Sequence, residues 1–409
     1  MPGTLSLTPT RRALLALALG GFGIGTGEFV TLGLLPNIAD SLHVSIPKAG
    51  ELVSAYALGV VIGAPLLTGA AVRLPRKGLL IGVALLMALL NLASAVMPGY
   101  GTLLIMRFLT GLPHGAYFGV ATVVAGNLVT EDRRSRAMAM VFAGLTLANV
   151  IGVPMTTLIG QHSSWRVCYA LVGVIEIAAA GAVTVFVPLV NRDEAAPPRL
   201  SHELRAFRQP QVWLSLGVAT IGGGALFAVV SYIAPLITHV AGFSSGAITP
   251  LLVLLGLGMT AGNLLGAHLA DRALMRTMYL ALICETIISV VFFFSARTEI
   301  TAAITIFLFP VCSFALVAPV QSRLVSLAGG APNLAAASMQ AAFNVANSIG
   351  AWLGGAVIAA GLGYAAPTLV AAGLALVGLA IALVAGRLER KGRSAAEAPA
   401  AEIKVLVDC

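Results

Sequence analysis

A lone carboxylate, Glu28, stands in the apolar stretch "GTGEFVTLGLLP", residues 25–36. A charge at the centre of a bilayer is costly, so its presence asks for a reason. In a second apolar stretch, Arg107, Gly111, His114 and Phe118 fall on one helical face. In a third, the amides Gln340, Asn344 and Asn347 recur at i, i+4 and i+7. Burial favours the neutral form of a carboxyl group, and a nearby guanidinium favours the charged form. A carboxyl under both influences can take up and release a proton. An imidazole can relay protons or hold a ligand. Amides on an otherwise apolar face suit a neutral polar molecule. Glu28, Arg107 and His114 are therefore the candidates for proton coupling. Tyr56, Asn149, Tyr232, Gln340, Asn344 and Asn347 are the candidates for a substrate cavity. Each also has a structural reading: a hydrogen-bonded core group for Glu28 or His114, a snorkelling side chain for Arg107, interhelical glue for the amides.

Catalytic signatures are weak. "GFSSG" (242–246) matches G-x-S-x-G, but no strand precedes it. "GLGMTAG" (256–262) resembles a dinucleotide loop but lies within an apolar run. No Walker A and no HExxH sequence occurs. The four cysteines form no CxxC and no metal spacing. The expectation is a protein that is not an enzyme, with no catalytic residues, no metal and no cofactor, driven by a proton gradient.

The elements that must position these groups follow from composition. The chain has 409 residues, 58% hydrophobic and only 10% charged, with mean hydropathy +0.97. Soluble proteins carry about 25% charged residues. The apolar runs are long enough to cross a bilayer, which takes about 20 residues each. Twelve spans are predicted, at 13–36, 49–72, 78–98, 102–129, 137–160, 166–190, 212–238, 246–270, 276–296, 300–326, 334–360 and 367–387. With the N-terminus inside, 20 of the 24 Lys and Arg fall in inside segments. Lys48, Arg166 and Arg297 fall outside, and Arg107 lies within a span. That asymmetry places both termini in the cytoplasm, and it explains the net charge of +8 without nucleic acid. Arg11 and Arg12 in "TPTRRALLALALGGFGIG" read as the flank of the first span, since no A-x-A cleavage site follows.

The chain also repeats itself. "ANVIG" (148–152) recurs as "ANSIG" (346–350), 198 positions on. "GAPLLTGAAVR" (63–73) aligns with "GNLLGAHLADR" (262–272), and Pro36 with Pro235, both at an offset of 199. A duplicated six-helix unit with substrate bound between the halves is a transporter architecture. The predicted organisation is a bundle at 1–190, a cytoplasmic loop at 191–211, a second bundle at 212–388 and a disordered cytoplasmic tail at 389–409. Phe227 or a neighbour stands at the repeat position of Glu28, so the second half lacks the acid.

Four stretches carry a family resemblance: "GTGEFVTLGLLPNIA", "RFLTGLPHGAYFG", "GLTLANVIGVP" and "GNLLGAHLADR". With them the chain resembles the major facilitator superfamily, and within it the 12-spanner drug:proton antiporters near the bacterial sugar- and nucleoside-efflux branch. The resemblance implies an all-α integral membrane protein of twelve helices in two pseudo-symmetric six-helix bundles. It implies proton-coupled efflux of a drug, sugar or nucleoside across a bacterial inner membrane. A proton-coupled uptake symporter and a non-transporting receptor or scaffold on the same fold are the alternatives. The expected partners are the bilayer, protons and a small molecule, for a monomeric chain. Asp271–Arg272, preceded by Gly266, and Arg73 correspond to a gate-latching charge cluster, although Val72 replaces the usual Asp of the first copy. Gly144, Gly152 and Pro154 imply close packing and a bend in the fifth span, and the sequence Gly152-Val153-Pro154-Met155 departs from the drug-pump pattern. Glu176 and Glu285, in the sixth and ninth spans, receive no role.

Overall fold

A backbone in hydrocarbon must satisfy its own polar groups, and a helix does so within one segment. The computed structural model describes residues 9–71, 75–130, 133–189, 208–327 and 332–407, and among them every regular element is helical. The first half comprises α1 (Pro9–Ser41), α2 (Ile46–Ala71), α3 (Arg76–Val96), α4 (Tyr100–Asn127), α5 (134–162) and α6 (Trp165–Phe186). The second comprises α7 (210–239), α8 (248–272), α9 (274–295), α10 (Glu299–Leu327), α11 (Pro332–Ala359) and α12 (Ala366–Val407). Eleven helical stretches are long and apolar enough to cross a membrane. One of them, Ser245–Ser295, has 51 residues, over twice the ~20 that a crossing needs. It breaks at Ala273 (φ −157°, ψ 77°), so α8 and α9 are two spans and the total is twelve.

One expectation differs from the structure. The 389–409 tail was expected to be disordered, yet α12 continues to Val407. Its alanines favour helix, while Gly392 and Pro399 oppose it. The central loop 191–211 and Arg73 lie outside the described residues, apart from 208–211, where α7 begins at Pro210.

The repeat is visible in packing. On α2, Gly59 and Gly63 lie against the backbone of Phe108 and Leu112 on α4. On α8, Gly258 and Gly262 lie against the backbone of Phe307 and Val311 on α10. Each residue in the second set is its counterpart plus 199. Gly266 continues the seam against Ala315. Small residues at four-residue spacing let helix backbones touch, where dispersion and weak polar contacts act.

Helix α5 widens where the sequence suggested a bend. Its Ala148–Gly152 turn is a π-turn, followed directly by Val153 and Pro154. Proline cannot donate to the preceding turn, and a wider turn accommodates its ring. Gly144 presses on the backbone of α1 at Ala18, and Gly152 on Phe22 and Thr26. The outcome is an enclosed α1, buried without a break from Gly23 to Leu35. Glu28 sits in the middle of that stretch. Outward faces carry exposed apolar side chains such as Leu89, Val185 and Ile300, as a lipid-facing surface requires.

Gly262→Leu should overpack against the α10 backbone and cost about 1–3 kcal/mol, lowering the thermal unfolding temperature of the detergent-solubilised protein. Gly82→Leu on α3, where nothing lies within 4 Å of an added Cβ, should leave that temperature unchanged.

Candidate functional site

Glu28 points from α1 towards the other half of the molecule. Asn347 on α11 donates an N–H to Glu28 Oε1 at 3.3 Å. Both residues are buried. Arg107 on α4 approaches the same turn of α1 but makes no ion pair with the carboxylate among the described residues. Its Nη2 donates instead to the Glu28 main-chain oxygen at 3.4 Å. The guanidinium lies over the Tyr56 ring, 4.3 Å from its centroid, and 5.4 Å from that of Tyr169. Aromatic faces attract a desolvated cation. Two rings and a carbonyl hold Arg107, and an amide from the second half holds Glu28.

Tyr56 extends the network. Its hydroxyl lies 3.0 Å from His114 Nδ1, and His114 Nε2 lies 3.3 Å from the Gln340 amide nitrogen. With the Gln340 N–H donating, Nε2 accepts and Nδ1–H donates to the phenol, so the imidazole is neutral. Thus Arg107, Tyr56, His114 and Gln340 form one chain from α4 through α2 to α11. The Gln340, Asn344 and Asn347 stripe faces the first half, and two of its three amides bond across the interface. Asn344 donates to the Gln340 main-chain oxygen at 3.0 Å, and its own Oδ1 has no partner among the described residues.

Other candidates lie elsewhere. Asn149 is half-buried and donates to Leu145 O of its own helix at 3.3 Å, while Gly256 of α8 packs on its main chain. Tyr232 interrupts α7 and donates to Ala351 O at 2.9 Å. Its hydroxyl fills the space between Gly50 and Gly355, near the end away from the termini. It closes that end rather than joining the network. Asp271 and Arg272 are exposed at the α8–α9 break and touch none of the central residues. The buried cation on the terminal side is Arg323, bound to Ser215, Gln211 and Glu389.

Contacts between the halves continue away from the termini. Ser54 donates to Ser348 O at 3.2 Å and Ser348 to Ser54 O at 3.3 Å. Gln161 donates to Ser245 O at 2.9 Å, in the loop that mimics a nucleophile motif. Phe29 stacks on Phe227, its near-symmetric counterpart, at 6.4 Å. On the terminal side of that contact lies an apolar hollow lined by Gly223, Leu226, Phe314, Val317, Met339 and Phe343.

Two acids remain. Glu176 on α6 is bonded by Asn91 of α3 at 2.9 Å. Glu285 on α9 is fully buried beside Ser313 of α10, and neither carboxyl oxygen has a well-formed hydrogen bond. Asn91 and Ser348 had been passed over. Asn91 is one amide in an otherwise apolar span, and Ser348 sits inside the repeated pentapeptide.

The sequence matches the Major Facilitator Superfamily profile over residues 17–337. The chain belongs to the Major Facilitator Superfamily. It is 42% identical over 374 residues to the inner membrane transport protein YdhP of Escherichia coli K12, covering 91% of this chain and 94% of that one. It is 32% identical over 353 residues to a chloramphenicol resistance protein of Streptomyces lividans, covering 86% and 89%. A crystal structure of a bacterial homologue of the human lysosomal transporter Spinster superposes with TM-score 0.75 at 16% identity, covering 93% and 98%. The fold and the family are thus those of multi-pass membrane transporters, and the centre of the site lies where the two halves of this superfamily member meet.

Replacing Ser54 and Ser348 by cysteine, in a chain whose four native cysteines are serine, should allow an oxidative cross-link between the halves. Cleavage engineered in the central loop should then leave the fragments joined on a non-reducing gel and separate after reduction.

Proposed function

We propose that this transporter exports a small organic molecule in exchange for protons. The observation that carries the reading is the Glu28–Asn347 contact. A protonatable group buried at the interface is held by the opposite half, so its charge state biases how the halves associate. Protonation changes a carboxylate that accepts only into a group that can also donate. The strength of the α1–α11 contact then depends on the proton.

The cycle begins with Glu28 accepting a proton from the periplasmic side. The halves rock and expose it to the cytoplasm, where its release favours substrate entry beside the α11 amides. Gln340 and Asn344 offer hydrogen bonds, and Met339, Phe343 and Phe314 offer apolar surface. That lining suits a neutral or weakly charged molecule such as a sugar, a nucleoside or a chloramphenicol-like amphiphile. The Streptomyces relative supports export, and the YdhP relative supports a bacterial inner membrane. The positive-inside asymmetry supports cytoplasmic termini. The protein acts as a monomer, with the proton gradient as its energy source and no cofactor.

In proteoliposomes with radiolabelled chloramphenicol as probe, an acidic lumen should drive accumulation. Accumulation driven by an alkaline lumen would instead establish symport. Glu28→Gln should abolish the gradient-driven component while leaving gradient-free counterflow. Undiminished proton-driven flux in that variant would remove Glu28 from the mechanism.

A further inference from the structure

Glu176 is one of two buried acids, with Glu285, that this cycle leaves unused. It is 2% exposed, and Arg107 is fully buried. Helix α1 closes over it: Gly23 packs against the Glu176 side chain, and Gly27 faces Val172 and the Asn91 amide. Asn91 donates to Glu176 Oε2 at 2.9 Å, and a hydrogen bond donated to a carboxylate favours its charged form. The atoms left without partners here are complementary. They are Arg107 Nε and Nη1 on one side, and Glu176 Oε1 and Asn91 Oδ1 on the other.

The surrounding titratable groups are few. Tyr56 reaches the cluster from α2, Tyr117 and His114 from α4, and Tyr169 from α6 itself, bonded to Thr31 of α1. Helix α3 contributes Asn91. The part of α5 on α6 meets the Cys168 thiol through the Thr156 carbonyl. Among these, Arg107 is the cation, because a guanidinium cannot shed its proton. A buried charge left without compensation is strongly destabilising. Were Glu28 the only anion, each protonation would strand Arg107.

We propose that Glu176 is the standing counter-ion of Arg107: its carboxylate balances the guanidinium while Glu28 is protonated, and it thereby sets the pH at which Glu28 takes up its proton. The cluster then passes between net charge −1 and 0 instead of 0 and +1. This inference rests on Glu28 being the proton-coupling group, and Glu176 acts through Arg107 as a positioning residue.

The test is a pH titration of the protonated-carboxyl infrared band in protein reconstituted in lipid. The Glu28 component is the part lost in Glu28→Gln. Glu176→Gln should move its midpoint to lower pH by about one unit, a tenfold loss of proton affinity. Arg107→Met should move it to higher pH, and the double variant should return it towards the wild-type position. Asn91→Leu, which removes the donor that holds the carboxylate, should shift it in the acid direction by less, and it carries the test if Glu176→Gln does not fold. A Glu28 component that Arg107→Met moves but Glu176→Gln and Asn91→Leu do not would overturn the counter-ion and leave Glu28 standing. The absence of any Glu28 component in wild-type protein would overturn Glu28 itself, and the counter-ion with it.

Discussion

A guanidinium that cannot lose its charge lies buried among transmembrane helices, and the centre of the first bundle is arranged around it. Arg107 could not sit there in bare hydrocarbon. Two aromatic faces, one main-chain oxygen and two neighbouring acids make the position tolerable. They come from three other helices: Tyr56 from α2, Tyr169 and Glu176 from α6, Glu28 from α1. Those helices must pack closely enough to deliver them. The glycines of α1 and α2, and the bend of α5 at its π-turn, permit that approach. The scaffold's close contacts and the site's electrostatics are one requirement seen at two scales.

The second half meets this centre with amides and aromatic rings rather than charge. Asn347 bonds Glu28, Gln340 bonds His114, and Phe227 stacks on Phe29. Duplication supplied the same backbone seams to both halves, with glycines against main chain at the same offset. The chemistry did not follow. A moving interface benefits from that division. Amide contacts of this kind are individually weak, worth about 0.6 kcal/mol on average across membrane helices. They can be exchanged for water or substrate. A buried ion pair across the same interface would be far harder to separate.

Much of the fold was legible in the sequence because lipid leaves little freedom. Apolar runs of bilayer length must be helices, and the repeat offset located equivalent residues before any contact was known. The break at Ala273 falls in the gap expected between the eighth and ninth spans, though its extended backbone could not be foreseen. The site was legible by residue type and less so by partner. Glu28, Arg107 and His114 were marked by being ionisable in apolar surroundings. That Arg107 would take the Glu28 carbonyl, and Asn347 the carboxylate, depends on side-chain direction at helix crossings. Helical spacing alone does not fix that. Tyr232 shows a related limit: an aromatic hydroxyl within a span reads alike in sequence whether it lines a cavity or packs between helices.

Glu176 shows where sequence reasoning reached its limit. An acid in the sixth span had no partner that spacing could reveal, and the amide that answers it lies 85 residues away on α3. The two helices meet behind α1, on the side away from the second half. From there a carboxylate can influence Arg107 without standing in the substrate path. A group that tunes a site need not enter it, provided the medium between them screens weakly. An acid behind the helix that carries Glu28 therefore acts on the same guanidinium as an acid on the interface, and the face it occupies frees it from contact with whatever passes through.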